Sequence, residues 1–297
     1  MRSFHCIVNP VSGGGRAPAS VVPLARLLRD AGAAVEVSYS PGPRGCARLV
    51  RDAVGAGAVV VAVGGDGMVS SLAGAVVEAR GTLAVSPSGR GNDFARALGC
   101  PSAAEALAEM LLHAPARSVD VIEVTGPHVG ARTVVGSVYA GVDSRASELV
   151  DRAHRLPGAL QYPYAAVRAL LEHRPADYDV LVDGESHTFR AATVVVAGSA
   201  YYGSGMRIAP SAVLDDGLLD VVVIRAASRR ALLRSLPRLY DGSHVELDEV
   251  VVLRGREVSV GTSDPVLGYG DGERLGPLPV TARVRPSALQ VLAPEPQ

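Results

Sequence analysis

Two short apolar runs, each ending in a glycine-rich loop, constrain this chain more than any other feature. Residues 59–63 read Val-Val-Val-Ala-Val and are followed at once by Gly64-Gly65-Asp66-Gly67. Residues 82–86 read Thr-Leu-Ala-Val-Ser and are followed by Pro87-Ser88-Gly89-Arg90-Gly91-Asn92-Asp93-Phe94. A short apolar run bounded by turn residues reads as a buried strand, and each loop leads into a segment of helical composition. Two successive strand–loop–helix units place two sets of backbone N–H groups and two helix N-termini at one edge of a sheet. That arrangement suits a polyphosphate.

The alternation extends over the first 120 or so residues. Strands are expected at Phe4–Val8 and Ala34–Ser38 in addition to the two runs above. Helices are expected near Pro18–Ala31, Arg44–Val54 and Ala103–Leu112, the first with Val21, Leu24, Leu27 and Leu28 on one face. A third loop, Asn9-Pro10-Val11-Ser12-Gly13-Gly14-Gly15, follows the first strand. Repeated βα units predict a doubly wound α/β domain, with a parallel sheet covered on both faces and ligands outside the carboxyl ends of its strands. From about Arg117 strand-like stretches dominate, at 117–124, 132–140, 177–183, 187–197, 218–224, 250–253, 256–261 and 278–284. Asp183-Gly184 and Asp271-Gly272 are tight-turn signals, and helices are expected near 144–155, 163–172 and 229–240. The expected organisation is an α/β nucleotide-binding domain over 1–121 and a mostly antiparallel β-sandwich domain over 122–297. A last stretch, Ala288–Leu292, returns to the first domain in this reading.

Composition removes several classes. The chain has no lysine, so all 29 of its Lys+Arg residues are arginine. A Walker-type P-loop and Schiff-base chemistry both need that lysine. A formal net charge of −1 argues against a nucleic-acid partner, and no apolar run reaches the ~20 residues of a membrane span. The three cysteines, Cys6, Cys46 and Cys100, are scattered and form no ligand cluster. With no signal-peptide pattern at the N-terminus, they point to a reducing, cytoplasmic setting.

Six motifs in order carry a resemblance to the diacylglycerol kinase catalytic-domain family, specifically its bacterial lipid kinases. They are Asn9-Pro10-x-Ser12-Gly13, Gly64-Gly65-Asp66-Gly67, Gly89-x-x-Asn92-Asp93-Phe94-Ala95-Arg96, Tyr201-Tyr202-Gly203-x-Gly205-Met206-x-Ile208-Ala209-Pro210, Asp215-Asp216-Gly217-Leu218-Leu219-Asp220 and Asp271-Gly272-Glu273. The resemblance implies an ATP- and Mg²⁺-dependent kinase that phosphorylates a hydroxyl of diacylglycerol or a related lipid, bound in a cleft between the domains. It implies a nucleotide site of Asn9, Pro10, Ser12, Gly13, Ser40, Gly64, Gly65, Asp66, Gly67, Met68, Ser71, Gly89, Arg90 and Asn92. It implies a carboxylate network of Asp66, Asp93 and Asp120, catalytic acids Asp271 and Glu273, and a structural magnesium site at Asp216 with the carbonyls of Val213 and Leu218. Peripheral contact with a membrane surface and pairing of two copies into a homodimer follow from the same resemblance.

The chemistry of those residue types agrees with the implied roles. Phosphoryl transfer asks for positioning and charge neutralisation more than for covalent help. Without lysine, neutralisation falls to backbone N–H groups, Mg²⁺ and arginine, with Arg16 and Arg90 lying in the loops themselves. The chain departs from the family pattern at three places: Met68 stands where threonine is usual, Ser71 where glutamate is usual, and Arg90 where threonine is usual. Those departures keep open a catalytically silent lipid- or nucleotide-binding protein, and the shared Gly-Gly-Asp-Gly loop and two-domain plan keep open an NAD-kinase-like enzyme.

Overall fold

The computed structural model describes residues 2–89, 91–152, 164–165, 167–169, 172 and 174–295. The chain divides into two compact units, one of Met1–Asp120 with Pro286–Gln297 and one of Val121–Arg285.

The first unit is built on a parallel sheet of β1 (Ser3–Val8), β2 (Ala34–Tyr39), β3 (Val59–Gly64) and β4 (Thr82–Pro87), in the order β4-β3-β1-β2. Cys6 lies between Val61 and Val37 in that register. Strands β1, β3 and β4 are buried almost throughout, which is why they read as continuous apolar runs rather than as alternating ones. Around them lie α1 (Ala17–Asp30), α2 (Pro43–Gly55), α3 (Asp66–Ala79), the short α4 (Asp93–Ala97) and α5 (Ala104–His113). Helix α1 turns Val21, Leu24, Ala25 and Leu28 inward, and Val21, Leu24 and Leu28 join Phe4, Val8, Val61, Leu107 and Leu111 in one core. The sheet gains a further parallel strand from far along the chain. In β15 (Val280–Leu292), Gln290 and Val291 pair with Thr82 and Leu83 of β4, and Leu292 enters the same core.

The second unit is antiparallel. Its strands are the later part of β5 (Ala116–Gly126), β6 (Val129–Val134), β7 (Ser137–Gly141), β8 (Ala176–Val182), β9 (Glu185–Ala197), β10 (Leu219–Arg225), β11 (Val250–Gly255), β12 (Glu257–Thr262), β13 (Leu267–Gly270), β14 (Glu273–Pro277) and the first part of β15. The long β9 pairs with β8 through its first half, and with β7 and β10 through its second. Its helices are α6 (Val142–Arg152), α7 (Arg229–Ser235) and α8 (Arg238–Asp241). The helix expected over 229–240 is therefore two short ones, interrupted at Leu236-Pro237, because proline cannot donate into a continuing ladder. The single strand expected over 132–140 is likewise two, β6 and β7, separated by Val135-Gly136. Most of the helix expected near 163–172 lies outside the described residues, but Ala165 and Ala169 pack against Val142, Ala146, Leu149 and Leu232.

Candidate active site

Three loops at the carboxyl ends of the parallel strands fold onto one another. The first follows β1, where Asn9 donates its N–H to the Val63 carbonyl at 3.0 Å and accepts the Val11 N–H on its side chain at 3.2 Å. The chain then makes a tight turn through Ser12–Gly14. Gly13 has a φ of 60°, and a Cβ on it would lie 2.3 Å from the Ser88 carbonyl oxygen of the third loop. Ser12 Oγ lies 3.5 Å from where a Cβ of Gly64 would sit and 3.7 Å from that of Gly65. The second and third loops are equally close: Ser88 donates its N–H to Gly64 O at 2.8 Å, and Ser20 Oγ meets Ser88 Oγ at 2.8 Å. Asn92, at a φ of 54°, braces the third loop from within by accepting Gly89 N–H at 2.8 Å and donating to Gly89 O at 3.2 Å.

Gly67 differs from its neighbours. A Cβ there would meet nothing within 4 Å, and its φ is not in the left-handed region. It sits in the first turn of α3, where glycine costs roughly 0.5–1 kcal/mol relative to alanine. Among the described residues, no packing contact requires glycine at this position. The open space lies at a helix N-terminus, where backbone N–H groups favour an anion. Arg16, whose Nε donates to Gly13 O at 3.0 Å, is an exposed cation on the same loops.

Asp66 is the first residue of α3 and carries its carboxylate to the start of α4, where Oδ1 accepts the Phe94 N–H at 3.1 Å. Burial pushes its carboxyl above the usual range, against the opposing pull of the backbone N–H groups around Asn92–Phe94. Asp93, in the first turn of α4, is buried beside it. Asp120 accepts the Ser287 N–H of β15 at 2.7 Å. Asp66 and Asp93 lie at one helix end, and Asp120 bonds the returning strand of the same unit. Met68 is 3% exposed and packs under Gly64, and Ser71 Oγ donates back to the Met68 carbonyl at 2.9 Å. Ser40 Oγ contacts Cys46 Sγ at 3.0 Å. Pro10 is exposed at the head of the first loop, and Arg90 lies outside the described residues.

In the second unit, Asp183-Gly184 and Asp271-Gly272 are the same turn twice. Each joins a two-residue hairpin, β8–β9 and β13–β14, and both central residues of each have positive φ, as a type I′ turn requires. Each aspartate reaches back to a neighbouring strand. Asp183 accepts the N–H groups of Arg256 and Glu257 at 2.8–3.0 Å. Asp271 accepts those of Val135, Gly136 and Ser137 at 2.8, 2.9 and 3.1 Å. This is the physical reason β6 and β7 separate, since the amides between them bond a carboxylate. Glu273, the other expected acid, lies 3.6 Å from Arg132 across a half-exposed ion pair.

Comparisons with known proteins agree at both ends of the chain. Residues 3–124 match the diacylglycerol kinase catalytic domain, and residues 136–293 match the YegS C-terminal NAD kinase beta sandwich-like domain. The diacylglycerol kinase of Mycobacterium tuberculosis is 32% identical over 292 residues, covering 97% of this chain and 94% of the relative. This chain belongs to the diacylglycerol kinase family. A YegS-like lipid kinase of Pseudomonas aeruginosa is also 32% identical, over 90% of this chain and 87% of its own. A diacylglycerol kinase crystal structure from Bacillus anthracis str. Sterne shares the fold, with a TM-score of 0.71 at 18% identity over 99% of this chain and 97% of that one.

One feature of this family member escaped the sequence reading. Asp143, at the start of α6, faces a cavity of about 40 Å³ lined by Val142, Ala146, Tyr202, Met206 and Leu239 among others. Its carboxylate accepts Thr193 Oγ1 at 2.6 Å and Tyr202 OH at 3.0 Å, and burial pushes its carboxyl above the ordinary range. Ile224, Leu232, Ser235 and Leu239 also line an adjoining cavity of about 310 Å³ beneath α7. The smaller cavity is mainly apolar around that carboxylate, whereas Arg234, Arg238, His244 and Glu249 join the apolar lining of the larger one, so the pair offers both kinds of surface to an amphipathic ligand. The sequence signal was present: an acid two residues after Gly141, the glycine that closes the apolar run Val138-Tyr139-Ala140.

The 213–218 turn is arranged differently from the magnesium site expected there. Asp216 Oδ1 accepts the Leu218 N–H at 3.0 Å, and Oδ2 is ion-paired with the guanidinium of Arg254. The side chains present do not fit a divalent ion, because a fixed cation already occupies the carboxylate.

Proposed function

We propose that this kinase uses MgATP to phosphorylate the hydroxyl of diacylglycerol or a related lipid alcohol, and that it does so at a membrane surface. The observation that carries the nucleotide half is Gly67. A space that no described side chain fills, at a helix N-terminus and within a cradle of three closely packed loops, suits a phosphate that must approach the backbone closely. Asn9, Ser12, Gly13, Gly65 and Asn92 build the cradle, and Arg16 supplies positive charge at its rim. Among the described residues no three His, Cys, Asp or Glu side chains converge as a metal-holding set. The magnesium therefore enters with the nucleotide, whose phosphate oxygens provide ligands of the type it prefers.

The acceptor half rests on the apolar side chains shared by the two adjoining cavities, Ile224, Leu232 and Leu239, and on Asp143 in the smaller one. A lipid tail gains by leaving water for such a lining, and a carboxylate offers its polar head a hydrogen-bond acceptor. In the transfer, the lipid oxygen bonds to the γ-phosphorus as the bond to the β–γ bridging oxygen breaks. ADP departs, and the hydroxyl proton passes to a carboxylate. Asp271, oriented by three backbone N–H groups, and Glu273 are the acids proposed for that proton. No helix among the described residues is long and apolar enough to cross a membrane, so the proposed contact with lipid is through a surface.

The test is transfer of labelled γ-phosphate from MgATP to a panel of lipid alcohols in micelles, beside an Asp271→Asn control. Label in one lipid that the control lacks supports the reading and names the acceptor. Tight ATP binding with no labelled lipid overturns it in favour of a silent binding protein.

A further inference from the structure

We propose that Arg254 is the built-in cation of the 213–220 turn, standing where a divalent ion would otherwise neutralise Asp216. The argument begins with register. In the antiparallel pair β10–β11, Asp220 lies directly opposite Arg254. Asp220 is 1% exposed; its Oδ1 accepts Ser211 Oγ at 2.6 Å, and its Oδ2 has no hydrogen bond and lies 3.4 Å from Arg254 Nε. A buried carboxylate with one oxygen unbonded needs a nearby positive charge. Arg254 supplies it, and its other end reaches Asp216 Oδ2. One guanidinium therefore spans two carboxylates through two different nitrogens, a task suited to its planar, multi-donor head.

Magnesium cannot share that position. It demands about six oxygens at ~2.0–2.1 Å in near-octahedral array, and a guanidinium hydrogen-bonded to Asp216 Oδ2 both fills the space and repels a second cation. Asp216 Oδ1 is committed as well, since it accepts the Leu218 N–H at 3.0 Å. The arginine is covalently attached, so the turn holds its charge balance at any metal concentration. The order of the second unit is then independent of magnesium. This holds whichever lipid is phosphorylated and does not depend on the activity proposed above.

The test uses thermal unfolding of the full, nucleotide-free chain in EDTA and in millimolar MgCl₂. The wild-type midpoint is expected to be the same in both. Arg254→Gln is expected to lower the midpoint in EDTA by several degrees and to regain much of that loss with magnesium, because it leaves an acidic pair open to the ion. A wild-type midpoint that falls in EDTA, recovers with magnesium and stops responding in Asp216→Asn overturns the proposal. So does an Arg254→Gln midpoint equal to wild type. Should that variant fail to fold, calorimetric titration of MgCl₂ into wild type and Asp216→Asn decides the point. Equal, background heats support the arginine, and a wild-type binding heat that Asp216→Asn abolishes refutes it.

Discussion

A methyl group on Gly89 would stand 2.3 Å from the Cα of Gly65. Two loops from different βα units therefore touch backbone to backbone, and their glycines answer to the protein's own packing. Gly67, two residues on from Gly65, meets no such contact among the described residues. Gly89→Ala is expected to destabilise the fold, at a cost of about 1–3 kcal/mol for overpacking. Gly67→Ala is expected to leave stability unchanged or raise it by up to ~1 kcal/mol, while weakening ATP binding roughly tenfold or more by filling the space. Denaturant unfolding and nucleotide titration on the two variants separate these effects, and loss of stability in Gly67→Ala would remove the basis for its role.

Asp66 holds its proton to higher pH in the folded chain than in the unfolded one, because burial outweighs the helix-end N–H groups around it. Its contribution to stability is thus present below the ordinary carboxylate pKa and is lost as pH rises through the raised value. Asp66→Asn is expected to be more stable than wild type at neutral pH, with the margin closing in acid. Turnover should fall roughly ten- to a hundredfold if the ionised group makes one charge-assisted contact in the reaction, worth about 1.5–3 kcal/mol. Unfolding midpoints across the pH range, read beside the activity assay, check both signs.

The repeated Asp-Gly turn makes Asp183 an internal control for Asp271. Removing either carboxylate strands backbone N–H groups on a neighbouring strand, at up to about 1–3 kcal/mol for each part-buried donor at Asp271 and less for the exposed donors at Asp183, which water can serve. Asp183→Ala and Asp271→Ala are both expected to lose stability. Only Asp271→Ala should also lose turnover at a temperature where both remain folded. Equal turnover in the two variants would show that Asp271 serves the sheet alone.

Asp143→Asn keeps the shape of the hollow and removes the charge. It is expected to leave ATP affinity unchanged and to lower lipid-dependent turnover about tenfold, the scale of one hydrogen bond to a charged group. A parallel loss of ATP affinity would place Asp143 outside the acceptor site.

Much of the first unit was readable because burial on both sheet faces writes itself as apolar runs, as in β1, β3 and β4. The glycine loops were readable for the same reason, since each interrupts such a run. The strands β13 and β14 were not, because Gly268, Gly270, Gly276 and Pro277 are poor strand formers whose conformation is set by pairing with β7 and with each other. Stretches 278–284 and 288–292 read as separate and are one strand, continuous through Ser287 at a φ of 53°. The Arg254 pairing was hidden for a different reason. It needs the register between strands some 30 residues apart, and no local pattern encodes that.

The same β15 fixes when the first unit can be finished. Its sheet edge at β4 is covered, and its core closed by Leu292, only by residues made after the whole of the second unit. A ribosome that has just delivered Asp120 has produced every loop of the phosphate cradle but not the strand that braces the sheet behind it. Until residues 286–292 emerge, β4 presents an open apolar edge, a template for mispairing. The sheet behind the cradle therefore closes last, and a nascent chain halted anywhere before Pro286 lacks the strand that completes it.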